Sequence, residues 1–374
     1  MPVRTRDDYE HVLAALGACV SMRIPVLLWG DPGSGKTAVV ESAVRLGWHV
    51  ETLIISHYEP SDFTGLPMLS DGQVRFAPPS WAVRLRDVDG PSIAFFDEFS
   101  TASPALQAAA LRPLTHYQIG DLQLPPTVSF VAAANPADVA AAGWELAAPT
   151  ASRFIHLDWD LPLDVYAECL VTGAWPELPL RAIPDGFDDA LDVWRAHLAG
   201  FLRARSTQLS HIPTDAVGRG RAFPTPRTWD YATRLAAFAE AAGQPAPVIR
   251  LLVNGAVGDL VAHEFLTYVY TTDLPDPEDV LAHGFDFTSL RPDRVYVALQ
   301  AVLGAVQRRP GARRWEQAMT VCCSAALQVG IDPAVPVVRA LLRPGTRPAD
   351  TALPEQIRVF APVLALAGLI PQEA

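Results

Sequence analysis

The stretch Ile24-Pro25-Val26-Leu27-Leu28-Trp29-Gly30-Asp31-Pro32-Gly33-Ser34-Gly35-Lys36-Thr37-Ala38 decides the fold. Its first half is short and apolar, and reads as a buried strand of a parallel sheet. Its second half meets the pattern Gly-x-x-x-x-Gly-Lys-Thr at Gly30, Gly35, Lys36 and Thr37. Such a loop needs glycines so that backbone N–H groups can turn inward around phosphates. Lys36 is then placed to reach the β- and γ-phosphates, and the Thr37 hydroxyl to ligate Mg²⁺. The expected phosphate-binding set runs through Gly30, Asp31, Pro32, Gly33, Ser34, Gly35, Lys36, Thr37 and Ala38. The chain has 29 basic residues, and Lys36 is the single lysine among them. Arginine stands at every other basic position. The lysine marks a place that needs a compact ammonium and does not fit a planar guanidinium.

Working outward, residues 8–21 read as an amphipathic helix with Tyr9, Val12, Leu13, Leu16 and Val20 on one face. The loop opens a helix over 37–46, and 50–56 is a second strand. A proline- and glycine-rich stretch over 59–79 holds a hairpin around Asp71-Gly72. Strands follow at 93–96, 128–134 and 154–157, with a helix at 104–114. Strands alternating with helices indicate an α/β parallel sheet. After Pro162 the pattern turns helical, at 190–203, 227–242, 248–270, 294–307, 314–329 and 333–342. The expected architecture is a P-loop α/β core over 1–160 with an insert near 59–82. An all-α lid over 161–275 and a helical C-terminal region over 276–374 follow.

The strand Ile93-Ala94-Phe95-Phe96 ends in Asp97-Glu98. Carboxylates at the C-terminal end of such a strand face the ligand crevice of an open sheet. Asp97 is the expected second Mg²⁺ residue beside Thr37. Glu98 is the expected general base that orients the attacking water. A second acid after the metal residue points to hydrolysis beyond binding.

The chain has 374 residues, 50% hydrophobic and 19% charged, which suits a globular protein of about two or three domains. Its apolar stretches are too short to span a bilayer, and no signal-peptide core is seen near the start, so no membrane partner and a cytoplasmic location are expected. The net charge of −12 weighs against a surface that tracks nucleic acid. Cys19, Cys169, Cys322 and Cys323 lack metal-ligand spacing and read as buried free thiols. His57, His116 and His156 are single and read as structural.

In this order the motifs resemble the AAA+ ATPases, and within them the MoxR-like, dynein-related group. Val131-Ala132-Ala133-Ala134-Asn135-Pro136 looks like that family's sensor-1 strand, which implies that Asn135 contacts the γ-phosphate and the lytic water. Ser152-Arg153-Phe154 looks like the arginine-finger segment, without the usual preceding acid. The resemblance implies that Arg153 reaches the nucleotide of a neighbouring subunit. Pro224-Thr225-Pro226-Arg227 looks like the sensor-2 start of a lid helix, which implies Arg227 at the γ-phosphate. The segment 59–82 resembles the helix-2 insert, a hairpin that lines a ring pore. The family implies ATP and Mg²⁺ as cofactors, a homo-oligomeric ring, most commonly a hexamer, and a von Willebrand factor A domain partner in protein remodelling. Two other readings stand beside it. One is the nucleic-acid-linked NTPase motor of a restriction or defence system, kept in view by Arg203, Arg205, Arg219 and Arg221. The other is a nucleotide-dependent switch or scaffold that does not hydrolyse.

Overall fold

The computed structural model describes residues 5–136, 143–271, 275–348, 351–361 and 363. In chain order its strands are β1 (Val26–Trp29), β2 (His49–Ile54), β3 (Leu66–Ser70), β4 (Gln73–Ala77), β5 (Ser92–Asp97), β6 (Gln118–Ile119), β7 (Leu122–Gln123), β8 (Val128–Ala134) and β9 (Ile155–Asp158). Five of them form one parallel sheet in the order β2-β5-β8-β1-β9. This is the expected P-loop α/β fold. Every residue of β1 and β8 is buried, which is why both read as unbroken apolar runs. Trp29 lies level with Ala134 on one side and Asp158 on the other, and Ile54 is level with Asp97. The strands therefore end together, and the loops after β1, β5 and β8 leave from one edge. That edge is where open parallel sheets bind ligands.

The helix Arg6–Ser21 starts where Thr5 and Asp8 cap each other, with Asp8 N donating to Thr5 Oγ1 at 3.1 Å. It buries Tyr9, Val12, Leu13, Leu16 and Val20, the face expected from the sequence. Phe96 centres an aromatic cluster, with Phe63, Trp81, Phe99 and Phe130 at ring separations of 5.6, 6.4, 6.1 and 5.7 Å. Each such ring contributes roughly 1.5–3 kcal/mol through burial. The cluster fixes the end of β5 and so the place of Asp97.

The hairpin expected around Asp71-Gly72 is β3–β4, with both turn residues in the left-handed region. The segment expected as one helix over 248–270 breaks at Gly258. There a φ of 84° with an extended ψ cannot continue a helix, and two helices result, Ala246–Val257 and Asp259–Thr271. The helix expected over 37–46 is α-helical over Lys36–Glu41 and then tightens to a 3₁₀ turn, Ser42–Leu46. The helix Leu163–Thr172 was not foreseen. Its exposed Leu163, Leu170 and Val171 hid the usual apolar-in pattern.

The chain packs as two units, 1–185 with 209–263, and 186–208 with 264–374. The second unit is helical. Its core gathers Val295, Leu299, Val302, Trp315, Met319 and Phe360. Arg308 pairs with Asp189 and Asp192, each at 2.6 Å, and Arg314 grips Glu278 through two bonds of 2.8 Å. All four cysteines are buried free thiols, as expected. Among the described residues no helix is long and apolar enough to cross a membrane.

His156 is a structural histidine. Trp29 Nε1 donates to its Nδ1 at 2.9 Å, so the ring proton sits on Nε2, which faces the Ala151 carbonyl oxygen at 2.9 Å. Burial pushes its pKa down from 6.5 to about 4. The unfolded chain takes up this proton near pH 6.5 and the folded chain does not. The stabilisation is therefore whole above pH 6.5 and is lost as pH falls toward 4, by about 3 kcal/mol at most. Urea midpoints should fall between pH 7 and 4.5, and His156→Gln should flatten that fall. An identical pH slope in the variant would remove His156 from the account.

Candidate nucleotide site

The loop after β1 is tied down before it turns. Gly30 N donates to Ala134 O at 3.1 Å, and a side chain at Gly30 would strike the Trp159 carbonyl. Trp159 Nε1 in turn donates to Ser34 O at 3.0 Å. Gly35 caps the following helix in the left-handed region, at a φ of 82°, with the Trp175 ring lying against it. Asp31, Pro32 and Gly33 are exposed along the loop, and Ala38 is half-buried behind it.

Lys36 is 7% exposed. Its Nζ donates to the carbonyl oxygens of Gly30 at 2.6 Å and Asp31 at 2.8 Å, with Asn135 Oδ1 at 3.4 Å. Burial lowers its pKa, and the charges of Asp97 and Asp31 work the other way. Thr37 Oγ1 donates to Asp97 Oδ2 at 2.8 Å, and Glu98 N donates to Asp97 Oδ1 at 2.9 Å. The structure thus gathers Lys36, Thr37, Asp97 and Asn135 from three loops at one edge. Each has the right chemistry for its place: a cation for phosphate, two oxygens for a hard metal ion, and a neutral amide beside them.

Glu98 is exposed, with a φ of 56°, a left-handed conformation uncommon for a residue with a side chain. Such strain costs about 1–3 kcal/mol and clusters at functional positions. Ser56 Oγ donates to Glu98 Oε2 at 3.1 Å. Ser100 Oγ accepts from Asn135 N at 3.2 Å and so holds the asparagine loop. Sequence reading missed Ser56, Ser100, Trp159 and Trp175. Ser56 had a signal, because it follows β2 at the same edge. The tryptophans had none, since their partners lie far along the chain.

Arg153 and Arg227 are elsewhere. Both line a cavity with Arg23, Ile24 and Pro25, which precede β1, so they sit at the opposite end of that strand from the phosphate loop. Burial, then the neighbouring Arg227 charge, lowers the Arg153 pKa. Arg153 donates to the Pro149 carbonyl, which orients it on the turn before β9. Of the suspected basic stripe, Arg205 pairs with Glu264 at 2.7 Å, Arg221 pairs with Asp158 at 3.0 Å, and Arg203 lies over the Tyr296 ring.

A parallel sheet that carries this phosphate loop, acidic pair and asparagine defines a P-loop ATPase core of the AAA+ class. Residues 25–154 match the family model of the AAA domain, dynein-related subfamily. No curated protein matches the chain. Among solved structures it is similar to a protein from Cytophaga hutchinsonii assigned as an ATPase, at 14% identity and a TM-score of 0.44, covering 71% of this chain and 90% of that one. It is also similar to a full-length MCM homologue from Methanopyrus kandleri, at 17% identity and a TM-score of 0.33, covering 69% and 53%. The RuvB Holliday junction branch migration motor of Thermotoga maritima aligns at 15% identity and a TM-score of 0.28, covering 89% and 86%.

Proposed function

We propose that this chain hydrolyses ATP with Mg²⁺ at sites shared between copies in a ring, most simply a hexamer, and uses the cycle to remodel a partner protein. One observation carries the shared site. Lys36, Thr37, Asp97 and Asn135 converge at one end of β1, while Arg153 lies at the other. A strand of four residues spans roughly 13 Å. Arg153 therefore serves a nucleotide bound to a neighbouring copy. Arg227 shares its cavity and acts from the same side, in place of a contact with its own γ-phosphate.

Thr37 and Asp97 fit Mg²⁺, which takes one or two protein oxygens and fills its remaining positions from phosphates and water. When bound, the ion neutralises charge that develops on the phosphates. Glu98 takes a proton from the attacking water, Asn135 orients that water, and Lys36 holds the β- and γ-phosphates. The Ser56 hydroxyl holds the Glu98 carboxylate aside until the site closes. One hydrogen bond to a charged group is worth about 1.5–3 kcal/mol, so Ser56→Ala should raise basal turnover by about 10- to 100-fold, with KM unchanged. A lower kcat would instead make Ser56 a support of the active geometry.

The β3–β4 hairpin supports protein remodelling. Leu66, Met68, Leu69, Val74 and Phe76 are exposed along it, and Leu69 is 79% accessible. An exposed apolar ribbon suits contact with a client polypeptide. A von Willebrand factor A domain partner remains the expectation from the MoxR-like resemblance.

The test of the shared site is mixing. Arg153→Ala should bind ATP as the unaltered chain does, yet hydrolyse it about 10³-fold more slowly. Adding Lys36→Ala copies, which retain Arg153, should restore turnover above the sum of the two alone. No restoration at any ratio would sink the shared site.

A further inference from the structure

A cavity of about 620 Å³ opens at the end of the sheet opposite the phosphate loop. Four arginines wall it: Arg23 from the turn before β1, Arg153 from the turn before β9, and Arg227 and Arg234 from the helix Pro226–Ala241. Tyr117, Tyr231 and His116 are among the other residues that line it. No carboxylate lines it among the described residues, in a chain with 41 acidic residues against 29 basic. Asp230, one helical turn from Arg234, pairs with that arginine at 3.6 Å. Arg23 Nε and Arg153 Nε are buried without a hydrogen-bond partner among the described residues. A buried guanidinium N–H without an acceptor is costly, and several guanidinium side chains around one cavity repel one another unless an anion joins them.

Arg23 adds a second observation. Its φ is 54°, in the left-handed region, just after the helix Arg6–Ser21. That position ordinarily favours glycine. An arginine held there against its backbone preference needs a reason in its side chain.

We infer that Arg23 is a further contact for the terminal phosphates of a nucleotide carried by a second copy of this chain, completing a guanidinium receptor with Arg153 and Arg227. This rests on the shared-site reading above. The chain's own phosphate loop lies beyond the far end of β1, so a second copy must supply the ligand. Phosphate oxygens match the planar donor fork of a guanidinium, which makes charge-assisted pairs with them. A triphosphate offers enough oxygens to occupy three such forks at once.

The variant of choice is Arg23→Gly, because glycine relaxes the backbone and keeps the fold. ATP binding is read by equilibrium dialysis and turnover under conditions that assemble the ring. Arg23→Gly should bind ATP within about twofold of the unaltered chain and turn over at least about tenfold more slowly. An equimolar mixture with Lys36→Ala should exceed the sum of the two alone, because those copies bring an intact Arg23. Arg23→Lys keeps the charge without the fork and should recover turnover in part. Unchanged turnover in Arg23→Gly overturns the inference, as does weakened ATP binding to the unassembled chain. If Arg23→Gly gains nothing from mixing while Arg153→Ala does, the inference fails and the shared site stands. If neither gains, both fail.

Discussion

Lys36→Ala should reduce ATP affinity by on the order of 100-fold or more. The ammonium is buried at the head of the loop and already oriented by the carbonyls of Gly30 and Asp31. Each charge-assisted hydrogen bond it makes to a phosphate is worth about 1.5–3 kcal/mol, and alanine also strands two carbonyl acceptors. Lys36→Arg should be nearly as harmful. Nζ sits 2.6 and 2.8 Å from its two partners, and a planar guanidinium cannot occupy that space. Calorimetric titration with ATP and Mg²⁺ reads both variants. An arginine variant within threefold of the unaltered affinity would refute the steric argument.

Glu98→Gln should leave ATP binding within a few-fold and lower kcat by about 10²–10⁴. The amide keeps the shape and the hydrogen bond from Ser56, while the ability to take a proton is lost. If the proposed function holds, the expected product is an ATP-loaded assembly that does not turn over, and a protein captured in that state identifies the client. A loss below threefold would transfer the base role to another group. Lys36→Ala and Glu98→Gln together separate binding from chemistry, since one should abolish the first and the other only the second.

The fold was legible where the chain is buried on both sides. β1, β5 and β8 lie inside the sheet, so their apolar runs admit one reading, and 128–134 matched to the residue. The hairpin was legible because Asp-Gly is the turn its geometry demands. Legibility failed where exposure breaks the amphipathic code, as in Leu163–Thr172, and where one glycine decides. Gly258 divides a seamless helical pattern through its backbone angle, which composition does not reveal. At the site, the residues proposed to touch phosphates follow from spacing within single segments. Those that hold the site in shape do not, because Ser56 with Glu98 and Ser100 with Asn135 pair across separate loops. Arg227 lies furthest from its expected place, at the other end of β1 from the phosphate loop. Its motif identifies the start of a helix, and the end of the sheet at which that helix begins is set by tertiary packing alone.

The indole of Trp175 rests on Gly35, and its carbonyl accepts a hydrogen bond of 2.7 Å from Arg45 on the 3₁₀ turn behind the loop. Two residues on, Glu177 pairs with that same arginine at 3.3 Å, and Leu178 N donates to Ser42 Oγ at 3.1 Å. A short irregular stretch from far along the sequence is thus stitched to the segment behind the glycine-rich loop. An excited indole reports small changes in its surroundings as a shift in emission colour and yield. The protein therefore carries its own optical gauge of the loop. With Trp175→Phe as the blank, the steps of a single catalytic cycle become visible without an attached dye.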